Sequence, residues 1–339
     1  MTSKWYLLIC LLISITSYAQ ILSGKVLDAK TNEPLETVAV YFDNTTIGTT
    51  TDEKGEFSLE YTEAVQSTLV ISYLGYDKVY ISDFRQKKSI TISLVEANNE
   101  LDEVYIEYDD ELTRRQKLRL FKDQFLGSTK RGKSCKILNE DDIYLRYNKK
   151  DKTLSASSKE PIVIYNKALD YEISYDLNDF EIQFRYVNAK SNKFTLNTAY
   201  YLGTMYFKDL NTINQKRSIV KKREKAFKGS IQHFMRALYN EDLGSQNYTV
   251  FKRGFKVNGW DHIEVIPIEN SNRKNVFLKG KISILYNKKV QSDMFLDKDI
   301  KVFSVDAYGH YTPIVGVYFT GYMNEQRIGD MLPLDYGLK

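Results

Sequence analysis

The sequence is poor in the residues that carry most disulfide, thiol and metal chemistry. It contains 2 cysteines and 3 histidines in 339 residues. Cys10 lies in the apolar N-terminal segment, so Cys135 is the one thiol left after it, and a single thiol forms no intrachain disulfide. His233, His262 and His310 have neither H-x-x-E nor H-E-x-x-H spacing, and a catalytic zinc needs three protein ligands. These shortages exclude a disulfide-stapled scaffold and argue against a zinc peptidase.

Long apolar runs are missing after the first 20 residues. Before that point, Lys4 precedes an apolar run from Leu7 to Ile15, and Ser17-Tyr18-Ala19 offers small residues at the −3 and −1 positions of a cleavage site. The run is shorter than the roughly 20 apolar residues that a transmembrane helix needs. Cys10 offers a lipid-modified N-terminus as an alternative, but Ile9 is bulky where such sites prefer a small residue. We therefore expect a cleaved signal peptide, an exported protein, and no transmembrane helix after cleavage.

Proline is scarce and tyrosine abundant. There are 5 prolines against 26 tyrosines, with 42% hydrophobic and 27% charged residues. This composition is that of a folded protein, and its length suits two domains. Because tyrosine favours half-buried pleated surfaces, the composition favours β structure.

Short segments with period-two hydrophobicity fill residues 21–95. The alternating sets are Val38/Val40/Phe42, Phe57/Leu59/Tyr61, Leu69/Ile71/Tyr73 and Ile90/Ile92/Leu94. Such a period predicts strands with one buried face, and several short strands at this spacing predict a sandwich. Asp52 and Gly55 are placed as in a type I turn.

Five separated motifs in this region carry a family resemblance: residues 24–28, 31–35, 48–52, 55–57 and 71–76. Their order resembles the carboxypeptidase regulatory-like domain, a transthyretin-like β-sandwich of about seven strands. The resemblance implies a structural or binding module of the kind that begins envelope proteins in Bacteroidetes-type bacteria, in the periplasm or associated with the outer membrane. The residues that carry it are Gly24, Asp28, Pro34, Gly48, Asp52, Gly55, Phe57, Gly75 and Tyr76.

The remainder predicts a second domain of α+β type. A helix is expected from Thr113 to Leu126, with a capping box between Thr113 and Gln116. A second helix is expected from Lys221 to Leu243, with Ser230 as an alternative start. We thus predict a mainly β chain: a signal peptide (1–19), the sandwich (20–95), an acidic linker or edge strand (96–111) containing Leu101–Ile106, and an α+β domain of unknown function with about two helices (112–339).

One nucleotide-binding pattern is present. Residues 127–134 read G-S-T-K-R-G-K-S and satisfy the P-loop pattern. A P-loop follows a strand and opens a helix, whereas here a helix precedes the loop and Cys135–Leu138 reads as a strand. We interpret the match as chance, find no G-x-S-x-G motif, and assign no catalytic residue, cofactor or metal.

Charge divides the chain. Residues 20–112 hold 7 basic and 19 acidic residues, a net charge of −12, whereas residues 113–339 hold 40 basic and 25 acidic ones, a net charge of +15. The basic part either has a solvated helix face or contacts an anionic lipid, lipopolysaccharide or the acidic first domain. The predicted interaction surface comprises Arg114, Arg115, Lys117, Lys221, Lys222 and Arg223.

Together these features predict a non-enzymatic cell-envelope protein that acts through binding or assembly. Its partner would be another envelope protein or a glycan, and export argues against nucleic acid. One alternative is a carbohydrate-binding module, which requires exposed aromatic side chains along one concave face. Another is an accessory protein that docks to a TonB-dependent receptor. A hydrolase would require a pocket with convergent polar groups and a shifted pKa.

Overall fold

The structure is a computed structural model that describes residues 19–62, 65–85, 87, 89–97, 111–213 and 216–338. Apart from Ala19, the predicted signal peptide lies outside the described residues. So do the strand expected at Leu101–Ile106 and most of the acidic linker.

The N-terminal region is a two-layer β-sandwich. One sheet has the strand order β4-β1-β7 and the other β3-β2-β5-β6. Along β4 the buried residues alternate with exposed ones, as the period-two pattern predicts, and Phe57 and Leu59 enter the core. The strands of the described residues here are β1 (Ala19–Asp28), β2 (Ala39–Phe42), β3 (Gly48–Thr50), β4 (Glu56–Thr62), β5 (Leu69–Ser72), β6 (Val79–Ile81) and β7 (Ser89–Leu94).

The middle region is an antiparallel sheet covered by one helix, α1 (Arg114–Phe125). Its order is β8-β11-β12-β10-β9, and β13 pairs with the other side of β12. Phe121 and Phe125 of α1 pack against Phe180, with Phe121 and Phe180 4.7 Å apart between ring centroids. The strands are β8 (Cys135–Ile137), β9 (Ile143–Asn148), β10 (Thr153–Ser158), β11 (Ile162–Asn166), β12 (Tyr171–Asn188) and β13 (Lys193–Asp209).

The C-terminal region has its own core between two further sheets. Their orders are β15-β14-β18-β19-β22 and β16-β17-β20-β21, with Phe234 and Phe303 among the buried residues. The elements are α2 (Arg217–Phe227), α3 (Ile231–Tyr239), β14 (Tyr248–Lys252), β15 (Phe255–Val257), β16 (Ile263–Pro267), β17 (Arg273–Leu278), β18 (Ile282–Tyr286), β19 (Val290–Leu296), β20 (Val302–Asp306), β21 (Tyr311–Thr312), β22 (Val317–Gly321) and α4 (Tyr322–Glu325).

The two helices expected in residues 112–339 form with different bounds. The capping box of α1 is confirmed: the Gln116 N–H donates to Thr113 Oγ1 and the Thr113 N–H donates to Gln116 Oε1. The single helix predicted over 221–243 is wrong, because the chain breaks at Gly229 and forms α2 and α3. Gly229 has φ +81°, and a Cβ there would lie 2.8 Å from the Tyr286 ring, so the helix cannot continue through it. Ser230 then caps α3 by accepting the His233 N–H at 3.0 Å.

The predicted fold class is confirmed: a mainly β chain in which an N-terminal sandwich precedes an α+β part. The described residues form three hydrophobic cores, two of them within 112–339. None of the helices in the described ranges combines the length and apolarity of a membrane-spanning segment.

Candidate functional site

Asp28 and Tyr76, two of the motif residues of the first sandwich, are joined directly. Asp28 Oδ2 accepts the Tyr76 hydroxyl at 2.7 Å, and Oδ1 accepts the N–H groups of Lys30 and Thr31 at 2.7 and 2.8 Å. The Thr31 N–H, then Tyr76 and Lys30, lower the pKa of Asp28 to about 2. The same bond to Asp28 raises the pKa of Tyr76 to about 12. This pair ties the end of β1 to the loop after β5, which is a structural role.

Other motif residues shape turns and close approaches within the sandwich. Gly24 lies under Phe57, where a Cβ would come within 2.5 Å of both the Phe57 ring and the Ile90 carbonyl. Asp52 Oδ1 accepts the N–H groups of Lys54 and Glu56, and the Gly55 N–H donates to Asp52 O at 2.8 Å, which is the predicted turn.

The remaining motif residues lie in the turns and at the edge of the sandwich. Pro34 packs against Gly55, and Gly75 occupies the turn before β6. Gly48 packs against Tyr206 of β13, outside the sandwich.

The turn after β2 inserts between the other two regions. The Asn44 N–H donates to Met205 O at 2.7 Å, and the Phe207 N–H donates to Thr45 O at 2.9 Å, so the turn extends the free edge of β13. On its other side, the Leu334 N–H donates to Asn44 O at 2.7 Å. This turn fixes the sandwich to the middle and C-terminal regions through backbone hydrogen bonds.

A buried carboxylate completes this docking. Asp176 of β12 is 4% exposed, lies 2.5 Å from Lys78 Nζ, and accepts the Tyr41 hydroxyl at 3.0 Å. The sandwich core also contains Tyr308 and Leu334 from the C-terminal region. The first domain is therefore packed into the rest of the molecule by its side chains as well as by its backbone.

An open groove of about 810 Å³ runs along α1. Arg115 and Arg119 lie one turn apart on α1, and Lys133 faces them from the loop before β8. Within the described part of the chain, none of these three cations has an acidic partner. Lys122 also lines the groove but forms an ion pair with Glu140. Asp123 also lines the groove, so four cations face one carboxylate, and the groove is open to solvent with an excess of positive charge.

The loop that matches the P-loop pattern forms one wall of this groove. Three of its N–H groups bond within the loop: Gly132 donates to Thr129 Oγ1, Lys133 to Thr129 O, and Ser134 to Arg131 O. The α1 helix precedes the loop and β8 follows it, opposite to the order that a P-loop requires. The loop therefore offers cationic side chains to a ligand but lacks the strand–loop–helix arrangement of a P-loop.

The predicted basic residues divide into three kinds. Arg115 lines the groove, and Lys221 and Lys222 are exposed on α2, away from it. Arg114 donates to two main-chain carbonyls, those of Glu140 and Ile143, and Lys117 is half-buried. The structure brings Arg115 together with Arg119 and Lys133, and the sequence prediction did not include the latter two.

Arg223 does not belong to any exposed surface, which corrects its place in the prediction. It is 6% exposed and forms a two-pronged ion pair with Asp209, both N–O distances being 2.7 Å. Its guanidinium also lies 3.8 Å from the centroid of the Tyr171 ring and donates to Leu169 O. Arg223 is a packing residue that anchors α2 to β12.

The thiol and the buried histidine have structural surroundings. Burial raises the pKa of Cys135 to about 12, which keeps the thiol protonated. His233 Nδ1 accepts the Gly229 N–H at 3.1 Å, and Nε2 lies 3.0 Å from Gln246 Oε1, so hydrogen bonds on both ring nitrogens hold this ring in place. Burial lowers the pKa of His233. Among the described residues, no group of three or more His, Cys, Asp or Glu side chains could hold a metal.

A second concave site lies where the three regions meet. This junction cavity has a volume of about 350 Å³, and its lining is mainly apolar and aromatic with a few polar groups. Its lining includes Asp43, Tyr175, Tyr201, His310, Ile314 and Gln326. Sequence reasoning missed this site, because its residues come from segments far apart in the chain and carry no motif.

Asp43 and Asp330 are the acidic residues that line the junction cavity, and Asp330 forms an ion pair with Arg131 at 2.7 Å. Asp43 Oδ1 accepts the Met205 N–H at 2.8 Å. Burial raises its pKa to about 6, against the opposing effects of Met205, His310 and the Asn44 N–H. A cavity with convergent polar groups and a shifted pKa therefore exists in this molecule.

Comparisons with known proteins identify the first region only. Residues 22–106 match the family model described as CarboxypepD_reg-like domain. No curated protein matches the chain. Two solved structures are similar over part of their lengths, a 9R-lipoxygenase from Cyanothece and a protein of unknown function from Bacteroides fragilis.

The two structural matches are distant. The lipoxygenase shares 13% identity over 68% of this chain and 49% of its own, with a TM-score of 0.18, so the chain spans about half of its length. The Bacteroides fragilis protein shares 10% identity over 89% of this chain and 95% of its own, with a TM-score of 0.19. Neither match bears on the fold or function of this chain.

Proposed function

We propose that this chain, whose residues 22–106 form a CarboxypepD_reg-like domain, is an exported, non-enzymatic cell-envelope protein that acts by binding. Its ligand would be an envelope component that presents phosphate or carboxylate groups, and the groove along α1 would bind it. The export step rests on the signal-peptide pattern that ends at Ala19.

The three unpaired cations of the groove carry this proposal. Arg115, Arg119 and Lys133 face one open space of about 810 Å³. Guanidinium groups bind phosphate and carboxylate through paired hydrogen bonds, and a lysine adds a mobile point charge. A phosphorylated or carboxylated glycan would fit such a surface better than a neutral one.

The way the first sandwich docks leaves the groove free for an external partner. The acidic sandwich and the basic remainder could have neutralised each other through the basic helices. Instead, among the described residues, the ion pair that joins the sandwich to the middle region has its positive charge on the sandwich, at Lys78, and its negative charge on the middle region, at Asp176. The cations of α1 take no part in this contact and remain available to a ligand.

The exposed aromatic residues do not favour the carbohydrate-stacking alternative. Tyr80, Tyr144, Tyr186, Tyr200 and Phe255 are at least 44% exposed and lie on β6, β9, β12, β13 and β15, of which β9, β12 and β13 share one sheet. Sugar stacking requires aromatic faces that line one platform, whereas these strands belong to three different sheets. Recognition by charge is the mode that the described surface supports.

Local geometry supports binding over catalysis. The Cys135 thiol is held protonated, the ring nitrogens of His233 are both engaged in hydrogen bonds, and the loop that matches the P-loop pattern is followed by β8, where a P-loop is followed by a helix. The domain at 22–106 belongs to a type without catalytic residues of its own.

Binding of purified lipopolysaccharide by the chain from Gln20 to Lys339 would test the groove. We expect the double variant Arg115→Glu/Arg119→Glu to bind at least about 10-fold more weakly, because it converts two attractive charges into repulsive ones. The readout is the equilibrium affinity at two salt concentrations, with dephosphorylated lipopolysaccharide as the ligand control.

The matched protein control is Lys221→Glu/Lys222→Glu on α2. It makes the same change in net charge at two exposed lysines outside the groove. We expect less than about a 2-fold change in affinity. Equal losses in the two variants would show that binding follows net charge alone and would contradict a groove site.

A further inference from the structure

The junction cavity contains polar atoms whose hydrogen-bonding capacity is unused. Asn44 Oδ1 and Gln326 Nε2 are buried and have no hydrogen-bond partner among the described residues, and both residues line the cavity. Buried polar atoms without partners are uncommon in folded proteins. Asn44 Oδ1 can only accept a hydrogen bond, so it favours a ligand that donates one.

The cavity also holds an acidic group without a cation. Asp43 lines it, and among the described residues no lysine or arginine nitrogen lies within ion-pair distance of its carboxylate. The neighbouring cations are occupied elsewhere, since Lys78 pairs with Asp176 and Arg131 pairs with Asp330 at 2.7 Å. Asp43 can therefore still pair with a positive charge, which none of the described residues provides.

His310 does not fill this role. Its Nδ1 lies 3.7 Å from Asp306 Oδ2, and Asp306 is 1% exposed. A positive charge on the ring would thus be shared with a second buried carboxylate. The cavity stays acidic around Asp43.

The walls of the cavity suit an apolar cation. Tyr175 and Tyr201 lie with their ring centroids 6.2 Å apart, and Tyr311 contributes a third ring to the lining. Tyrosine rings attract ammonium groups through their faces. Leu202 and Ile314, which are 43% and 57% exposed, line the opening, so the entrance is apolar.

We infer that the junction cavity is a binding site for a small organic ammonium ion with an aryl or alkyl body, in which Asp43 pairs with the cationic head and the tyrosines surround it. The site stands apart from the α1 groove. It uses no residue of the groove, and its occupant has the opposite charge.

Three probes with one phenyl body and different heads would test this site: 2-phenylethylammonium, 2-phenylethanol and 3-phenylpropanoate. We expect the ammonium ion to bind at least about 10-fold tighter than the alcohol, the size of a charged hydrogen bond, and the carboxylate to bind most weakly. The measurement is calorimetric titration of the chain from Gln20 to Lys339 at pH 7.5.

Two variants separate the contributions to binding. Asp43→Asn keeps an oxygen for the Met205 N–H but removes the charge, so the preference for the ammonium ion over the alcohol should disappear. Ile314→Trp should obstruct the opening and weaken all three probes. Asp141→Asn, at an exposed carboxylate, is the control and should change nothing.

Several results would overturn the inference. They are equal affinity for the three heads, a preference that survives Asp43→Asn, tightest binding of the carboxylate, and no binding of the ammonium ion. The groove variant Arg115→Glu/Arg119→Glu should retain ammonium binding, so a failure of the lipopolysaccharide experiment would not decide this one.

Discussion

The α1 groove and the junction cavity differ in charge, in polarity and in the parts of the chain that form them. The groove is cationic and built from residues 113–135 with Asn192 of the β12–β13 turn, whereas the cavity is mostly apolar and lined by residues from 43 to 334. The groove owes its charge to side chains that extend into solvent. The cavity owes its acidity to a carboxylate held in place by a neighbouring main chain. Charge changes in the exposed groove should leave the protein folded. Loss of the contacts that hold the three regions together around the cavity should destabilise it.

The largest difference in stability should appear when the contact that docks the first sandwich onto the middle region is removed. Asp176→Ala leaves Lys78 without an acidic partner and the Tyr41 hydroxyl with Thr204 Oγ1 alone, at 3.4 Å, and we expect a loss of about 3 kcal/mol in the free energy of unfolding. Chemical denaturation followed by circular dichroism measures it. Arg115→Glu/Arg119→Glu, by comparison, should change the stability by less than about 0.5 kcal/mol.

Glu172→Ala is the control for this experiment. Glu172 lies on the same strand as Asp176 but pairs with Lys208, and both side chains are at least 34% exposed. We expect a change within about 0.5 kcal/mol. A loss for Asp176→Ala as small as this would mean that the docking contact is not a buried ion pair in solution.

The acidity of the cavity should appear as a pH dependence of stability. The folded protein holds the Asp43 proton up to about pH 6, whereas an unfolded aspartate releases it near pH 4. The unfolded state therefore binds fewer protons between these values, and the stability of the wild type falls as the pH rises through this window and is then constant. Relative to Asp43→Asn, the wild type should lose about 2 to 3 kcal/mol between pH 4 and pH 7.

Denaturation of the two proteins across this range isolates Asp43, because His310, Asp176 and the other titrating groups are common to both. Asp28→Asn should show the opposite pH dependence of its stability difference from the wild type. The pKa of Asp28 is lowered to about 2, so its contribution is present above pH 4 and is lost as the pH falls towards 2. A difference between wild type and Asp43→Asn that does not vary with pH would contradict the burial of Asp43.

The smallest effect concerns the helix that carries the groove. Thr113→Ala removes the hydroxyl that accepts the Gln116 N–H and should reduce the stability by about 1 kcal/mol. Thr113→Ser keeps an acceptor and should be close to the wild type. Thermal unfolding of the three proteins measures the difference. If alanine and serine behave alike, the capping box does not define the start of α1.

Elements whose determinants are local in sequence could be predicted. The period of two located β2, β4, β5 and β7 of the first sandwich but not β1, β3 or β6. The Thr113–Gln116 pair located the start of α1, and the Asp52–Gly55 turn forms as expected. The alternative helix start at Ser230 is confirmed, but the preceding helix α2 and the break at Gly229 were not predicted. The apolar spacing continues across the break, and the positive φ and close packing against Tyr286 that only glycine accommodates appear in the structure alone.

The sites could be predicted only in part, for the same reason. Basic composition indicated the α1 region, but it could not distinguish Arg115, which faces the groove, from Arg223, which is buried against Asp209. Asp43 follows a predicted strand and reads as an ordinary turn residue. Its importance arises from Met205 and Leu334, which lie more than 160 residues away in sequence and contact the same turn.

The most direct test of the proposed function is to locate the bound ligand on the protein. Hydrogen–deuterium exchange of the chain from Gln20 to Lys339 would be measured with lipopolysaccharide and with its dephosphorylated form. We predict slower exchange in peptides covering residues 113–135 with the phosphorylated ligand alone, and no change in residues 217–227. Protection that is absent from residues 113–135, or that is equal with both ligands, would contradict a phosphate-binding groove along α1.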